Sequence, residues 1–439
     1  MTYFSATTMA TAGSPARAPA SLAGTQGPPP QEGGWLASQE YTAHVNRRTF
    51  LGTPLAALVP LAARAQSTTA SSARVSSFDP WVEVHAANLA HNVREVARLT
   101  GRPVLAVIKN NGYGLGAVNV AKSLDAHASI AGFAVVKLQE ALDLRAEGIR
   151  KPVLLMGAMD EADLRLVVSR NIMPMVYTPI GDLLQREADR LGRPIPIHVC
   201  VDTGIGRVGV PHHAAAPLIR DLASKKGVAI DGTMMTFTED LEFDKEQRRR
   251  FAALTGELKG AGVRLGRLHA ASTYTLFQHD DAAFDMVRPG MALLGIYPEA
   301  RFRALDRLDL RPAVALRVRV AYVKKLAAGT PAGYERAYVA KKDTWIATLP
   351  IGHTDGWPRV AAKGARVRIN GRPYPVIASV SASHTLVEIG DEQAVQPGDV
   401  ATLFDWQDGS RPEDVAAAST ASVYDLTMHL NPLLPRRIV

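Results

Sequence analysis

The sequence predicts an α/β fold: a (β/α)8 barrel followed by a mainly β C-terminal domain. Three observations predict it. Short apolar runs alternate with helical stretches from Val104 to Val287. Beyond Pro312 the texture changes to short β-branched segments between Gly, Pro and Asp turns. No G-x-G-x-x-G opens the first helix, which weakens the competing doubly wound sheet.

The elements follow in order. Trp81–Val84 alternates like a strand, and Ala86–Leu99 has helical spacing. The apolar runs are Val104–Ile108, Gly132–Val136, Val153–Met156, Met173–Val176, Ile195–Val201, Val228–Gly232, Leu268–Ala271 and Met286–Val287. Strands buried on both faces read as such continuous runs. Helical patterns fall between most of them: Ala117–Leu124, Leu138–Glu147, Glu161–Ser169, Gly181–Leu191, Ala214–Lys225, Glu242–Lys259 and a short Thr275–Gln278. The second domain is read from Val314–Val323, Thr344–Leu349, Arg366–Ile369, Val376–Ser381, Thr385–Glu388 and Val400–Phe404. The expected domains are a barrel over 80–310 and a β domain over 311–439.

Composition narrows the function classes. The chain has 439 residues, 47% hydrophobic and 21% charged, with a mean hydropathy of -0.02. That balance excludes collagen-like, coiled-coil and fully disordered readings. No apolar run approaches the ~20 residues that span a bilayer. The single cysteine, Cys200, excludes an intrachain disulfide framework and a multi-thiolate metal cluster. The net charge of +8 is scattered and no nucleic-acid motif accompanies it, so it reads as a solvated surface.

Residues 1–44 are rich in Ala, Gly, Pro, Ser and Thr and bury too little apolar surface to order themselves. Asn46-Arg47-Arg48-Thr49-Phe50-Leu51-Gly52 then leads an apolar stretch to Ala63, closed by Ala63-Arg64-Ala65. A basic start, a short apolar run and an A-x-A site make a secretory signal. The paired arginines resemble a twin-arginine export signal. Pro54 and Pro60 argue against a buried helix here. The expectation is a leader and signal over 1–65, a flexible lead-in over 66–79 and a periplasmic protein.

Barrel enzymes place chemistry at the C-terminal ends of their strands. Those ends carry Lys109, Asp202 to Arg207, Thr236, His269 to Thr273, and Arg288-Pro289-Gly290. Lys109 directly follows an apolar strand. A lysine there is partly desolvated, which frees its amine as a nucleophile; a snorkelling lysine at a strand end is the competing reading. Scattered histidines give no metal-ligand spacing.

Several blocks resemble the alanine racemases, barrel enzymes that use pyridoxal phosphate. Lys109-Asn110-Asn111-Gly112-Tyr113-Gly114-Leu115-Gly116 is similar to their K-A-N-A-Y-G-H-G. Val201-Asp202-Thr203-Gly204-Ile205-Gly206-Arg207 is similar to V-D-T-G-M-x-R. Asp285-Met286-Val287-Arg288-Pro289-Gly290-Met291 and Pro350-Ile351-Gly352-His353-Thr354-Asp355-Gly356 also match family blocks, as does Ala332-Gly333-Tyr334. The blocks occur in family order across residues 80–439. The resemblance implies a two-base racemase that interconverts L- and D-amino acids. Lys109 would hold the cofactor covalently and serve as one base. Tyr334, supplied by the partner subunit of a homodimer, would be the other. Arg288 would face the pyridine nitrogen, and Tyr113, Thr273, Gly290 and Met291 would hold the phosphate. Arg207 would orient the cofactor oxygen and the substrate carboxylate, with a backbone contact at Ala382.

The resemblance breaks at several family positions. Thr236 replaces a histidine, Ser272 an asparagine, His353 a tyrosine, Ser383 an aspartate and Pro432 a tyrosine; Cys200 stands where many members have a lysine. Loss of the last tyrosine, with an export signal, resembles periplasmic broad-specificity amino-acid racemases. A diverged enzyme catalysing elimination at Cα, and an exported non-catalytic cofactor- or amino-acid-binding protein, are the alternatives. His353 and His384 are each read as an added acid/base or as surface histidines. Asp355 is read as a group behind the site or as a turn cap.

Overall fold

The structure, a computed structural model, describes residues 78–439. The leader, the signal and most of the lead-in lie outside the described residues.

Parallel strands Val104–Val107, Ile130–Val135, Val153–Leu155, Ile172–Val176, Ile195–Asp202, Val228–Met234 and Arg267–His269 pair in that order. The eighth segment, Met286–Val287, makes one parallel bridge to His269 and contributes Val287 to another with Val104. Leu105 N–H donates to Val287 O at 2.9 Å and Val107 N–H to Pro289 O at 3.0 Å. The last segment therefore joins the first, and the sheet closes into a barrel. Val104–Val107, Val153–Leu155 and Ile172–Val176 are buried throughout. The outer helices start and stop where local chemistry dictates. Asp160 accepts from Asp163 N–H at 2.8 Å to cap Glu161–Ser169. Gly192 takes a left-handed φ of 64° to end Gly181–Leu191.

The second domain is built on a nine-stranded sheet. Its order is Tyr322–Leu326, Thr344–Leu349, Thr385–Gly390, Arg372–Ile377, Arg366–Ile369, Val400–Phe404, Val314–Arg319, Trp81–Val84 and Arg436–Ile438. The strand Trp81–Val84, grouped with the barrel by its place in the sequence, thus belongs to the second sheet. It pairs antiparallel with Val314–Arg319 and parallel with Arg436–Ile438. Its alternation marks a half-buried strand, but a local pattern of period two carries no record of the partner. The run Val314–Val323 is two strands rather than one. Helices Pro412–Ser419 and Val423–Met428, not anticipated from the sequence, follow the last long strand.

Asn92 ties the two domains. Its fully buried amide donates to Leu293 O at 3.1 Å and Arg311 O at 2.8 Å, and accepts from Arg311 N–H at 2.8 Å. No helix among the described residues is long and apolar enough to cross a membrane.

Candidate active site

Lys109 leaves the first barrel strand into a turn of unusual hand. Asn110, Asn111, Gly112, Tyr113 and Gly114 have φ of 55°, 56°, 61°, 53° and 95°. A left-handed turn costs an L-residue about 1–2 kcal/mol, least for Asn and nothing for Gly. The composition Asn-Asn-Gly-Tyr-Gly therefore suits it, and only Tyr113 carries the full penalty. Contacts from three directions hold it. Glu140 Oε1 accepts from Asn111 N–H at 2.7 Å. Arg436 donates through Nε and Nη2 to Gly114 O at 3.1 and 2.9 Å. Thr427 O packs so tightly on Gly114 that a Cβ there would collide with it. The Lys109 ammonium lies in the barrel mouth, where burial and then the Arg207 charge hold its pKa below the ordinary lysine range.

Arg288, at the end of the eighth segment, is buried. Its Nη1 donates to His269 Nδ1 at 2.9 Å and His269 O at 2.8 Å; its Nη2 donates to Met235 O at 2.8 Å. Burial pushes its pKa down to about 10, still far above neutrality, so it stays charged. These contacts fix the tautomers behind it. A guanidinium only donates, so His269 Nδ1 is the acceptor and its proton sits on Nε2. That proton goes to His198 Nδ1 at 2.9 Å. The His198 proton then lies on Nε2, facing Asp231 Oδ2 at 3.5 Å, a separation of electrostatic attraction rather than a formed hydrogen bond. The order Arg288, His269, His198, Asp231 runs along the barrel interior with one polarity. Both imidazoles are held neutral: burial lowers both pKa values, and Arg288 lowers that of His269 further.

The residues at the mouth fit pyridoxal phosphate by their donor chemistry. Arg288 Nε–H has no protein partner among the described residues, leaving a fixed donor for a ring nitrogen. At the other end Thr273 Oγ1 accepts from Gly290 N–H and Ala292 N–H, both at 3.1 Å. A Cβ on Gly290 would collide with Tyr113 Oη, so this close approach needs glycine. Lys109, Tyr113, Arg207, Thr273, Arg288, Gly290 and Met291 all line one cavity of 610 Å³. The size falls within the range of small-molecule sites.

Two predicted site residues stand elsewhere. Tyr334 is 75% exposed, and neither it nor Ala382 lines this cavity. Both sit in the β domain. Gly333, beside Tyr334, packs against Ala378, in the same loop that carries Ala382. Asp355 is a turn cap, accepting from Gly352 N–H at 2.9 Å. Ser272 caps Thr273–Gln278. His353 Nε2 accepts from Arg359 at 2.9 Å. Thr236 and Cys200 line the cavity.

Sequence reasoning missed Tyr424 and Met428, which line the cavity from Val423–Met428, and Glu239 and Tyr274 beside them. Ser422 with Tyr424 and Met428 four apart was a readable helix-start signal. Glu239 left no pattern.

A barrel with this lysine, this buried arginine and an appended β domain defines a pyridoxal-phosphate enzyme of the barrel type. The comparisons agree. Residues 84–298 match the alanine racemase N-terminal domain and 313–438 the alanine racemase C-terminal domain. The chain is 34% identical over 352 residues to alanine racemase of Symbiobacterium thermophilum, covering 79% of this chain and 92% of that one. It is 31% identical over 369 residues to alanine racemase 2 of Caldanaerobacter subterraneus subsp. tengcongensis, covering 81% and 93%. Among solved structures, alanine racemase from Clostridium difficile 630 superposes with a TM-score of 0.76 at 26% identity, covering 82% and 95%. The enzyme from D-cycloserine-producing Streptomyces lavendulae gives 0.77 at 26%, covering 82% and 97%. The chain belongs to the alanine racemase family. It is a pyridoxal-phosphate-dependent amino-acid racemase, and the elimination and binding-only readings find no support among these relatives.

Two expectations follow. In Lys109→Ala the visible absorbance of covalently held cofactor disappears; its persistence would place the link on another lysine. The second concerns pH. Below about pH 6.5 the unfolded chain binds protons at His198 and His269 that the fold refuses, so their contribution to stability is present above that pH and lost as pH falls. Each contributes at most about 1.4 kcal/mol per pH unit. Denaturant titrations at pH 7 and 5.5 should show a shallower loss in His198→Gln than in the native protein. Equal losses would mean that His198 takes up a proton within the fold.

Proposed function

We propose that the active species is a homodimer in which Lys109 of one protomer and Tyr334 of the partner subunit work on opposite faces of the substrate α-carbon. One observation carries this reading: Tyr334 is held out in solvent, outside the cavity that Lys109 lines. Its turn is strained, with φ of 57° and 55° at Glu335 and Arg336. Backbone strain held in place is a mark of functional segments. Inversion at carbon needs a proton removed from one face and returned to the other, which a single base held on one face does not do.

Bound pyridoxal phosphate supplies the electron-accepting ring that acidifies the substrate α-proton. The residues would do the rest. Lys109, its pKa lowered, takes and returns a proton at Cα from its side. Arg288 keeps its own proton and offers one fixed N–H. Tyr113, Thr273 and the Gly290–Met291 backbone hold the phosphate end. Arg207 receives the substrate carboxylate, and the partner's Ala382 adds a backbone contact.

We further propose a specificity broader than alanine, the substrate named for the relatives above. Support comes from Pro432, which stands where the family has a tyrosine and is not a lining residue of the cavity. Export to the periplasm through residues 46–65 is proposed on the sequence signal alone. Changing Arg47-Arg48 to Lys-Lys should retain the enzyme in the cytoplasmic fraction; unchanged fractionation removes the twin-arginine reading.

The deciding measurement is proton NMR of the cofactor-loaded protein in D2O with a panel of L-amino acids. Loss of the α-proton signal with appearance of the D-enantiomer is expected. In Tyr334→Phe, cofactor absorbance should persist while exchange from one enantiomer falls by orders of magnitude more than from the other. Equal losses from both would refute a one-sided base.

A further inference from the structure

The segment after the sixth barrel strand is built around one buried carboxylate. Asp244 is 1% exposed, and its Oδ1 accepts from Thr238 N–H at 3.0 Å, Thr238 Oγ1–H at 2.9 Å and Glu239 N–H at 3.1 Å. His279 Nε2 meets its other oxygen at 3.1 Å. Gln247 braces the same segment, accepting from Thr238 N–H at 2.8 Å and donating to Thr236 O at 3.0 Å. So over-determined, the backbone holds Glu239 at a φ of 72°, a region that a long side chain avoids. A non-glycine residue kept in such a state by surrounding bonds points to function.

Glu239 reaches the cavity, where it is the one carboxylate among the lining residues. The other charged lining groups are Lys109, Arg207 and Arg288, all cationic. Neighbouring acids have partners: Asp244 has His279, and Glu299 has Arg301 at 2.6 Å together with the Tyr274 hydroxyl. The Glu239 side chain has no hydrogen bond or ion pair among the described residues. Burial and the charges of Asp244 and Glu299 raise its pKa, while Arg207 opposes them. With Arg207 turned to a substrate carboxylate, Glu239 stands exposed at the cavity mouth with no protein counter-charge of its own.

We infer that Glu239 is a specificity-determining residue that receives the positive end of a basic amino-acid side chain. The inference rests on the broader specificity proposed above. A substrate carrying an ammonium or guanidinium at the end of a flexible chain supplies the missing counter-charge. An acidic side chain meets like charge there, and a methyl group gains nothing from the carboxylate.

The test is steady-state racemisation of L-lysine, L-arginine, L-methionine, L-leucine and L-alanine by the cofactor-loaded dimer and by Glu239→Gln. A charge-assisted contact of ordinary strength predicts a roughly 10–100-fold fall in the lysine-to-methionine ratio of kcat/KM, mainly through KM. Calorimetric binding of α-methyl-lysine, which has no α-proton, should weaken by a similar factor while α-methyl-leucine changes far less. Glu239→Gly removes the carboxylate while relieving the left-handed backbone, so it serves where the Gln variant unfolds. Equal loss across all substrates, or no change in the ratio, overturns the inference, since Glu239 would then act through Arg207 or not at all. A native enzyme that racemises alanine alone overturns the broader specificity itself. Turnover of methionine and leucine with an unchanged ratio in the variant overturns only the role of Glu239.

Discussion

A full positive charge sits at the centre of the barrel with no carboxylate beside it, and the surrounding structure is arranged to tolerate it. Arg288 is satisfied by the carbonyls of Met235 and His269 and by the lone pair of His269 Nδ1. Moving such a charge out of water costs several kcal/mol unless dipoles replace the solvent. Two constraints follow. The imidazoles of His269 and His198 must remain neutral and oriented, because a proton on either accepting nitrogen would face another donor. The ends of the sixth and seventh barrel strands must present their carbonyls inward. The acidic group of this array, Asp231, stands at the far end, paired with Arg267 at 3.0 Å. Its charge steadies the row without quenching Arg288.

The lysine is placed by a different device. A left-handed turn would be costly in most sequences, and here it is clamped by the chain's own C-terminus. Arg436 gathers Gly114 O together with the carbonyls of Asn431, Pro432 and Leu434. Val423–Met428 packs over the same turn and brings Tyr424 and Met428 to the cavity wall. The β domain is therefore part of its own chain's active site at the mouth, while its exposed Tyr334 and Ala382 lie outside that site's lining.

The altered family positions acquire plain physical roles. Ser272 caps a helix, and His353 accepts from Arg359. Thr236 has only a long, 3.5 Å contact with Arg288 Nη2 and leaves the guanidinium to the backbone carbonyls. The main contacts of Arg288 and of the turn after Lys109 are made by other residues. The one carboxylate of the cavity lining, Glu239, is carried on a left-handed backbone.

By itself the sequence determined the barrel, because continuous apolar runs and amphipathic helices are local patterns. Ala117–Leu124, Glu161–Ser169 and Gly181–Leu191 match their expected bounds. It also placed Lys109 and Arg288 at the barrel mouth, since both directly follow short apolar segments, and both line the cavity there. Tertiary structure alone decided what depends on distant partners. Trp81–Val84 is a strand by pattern, but its sheet was chosen by Val314–Arg319 and Arg436–Ile438. The tautomers of His198 and His269 exist only because residues 71 positions apart in sequence touch. Glu239 gains its meaning from Asp244, which holds its backbone, and from the three cations that line the same cavity. Periodicity is written along the chain within a few residues, whereas charge environment and hydrogen-bond polarity are properties of space and appear only when the chain has closed on itself.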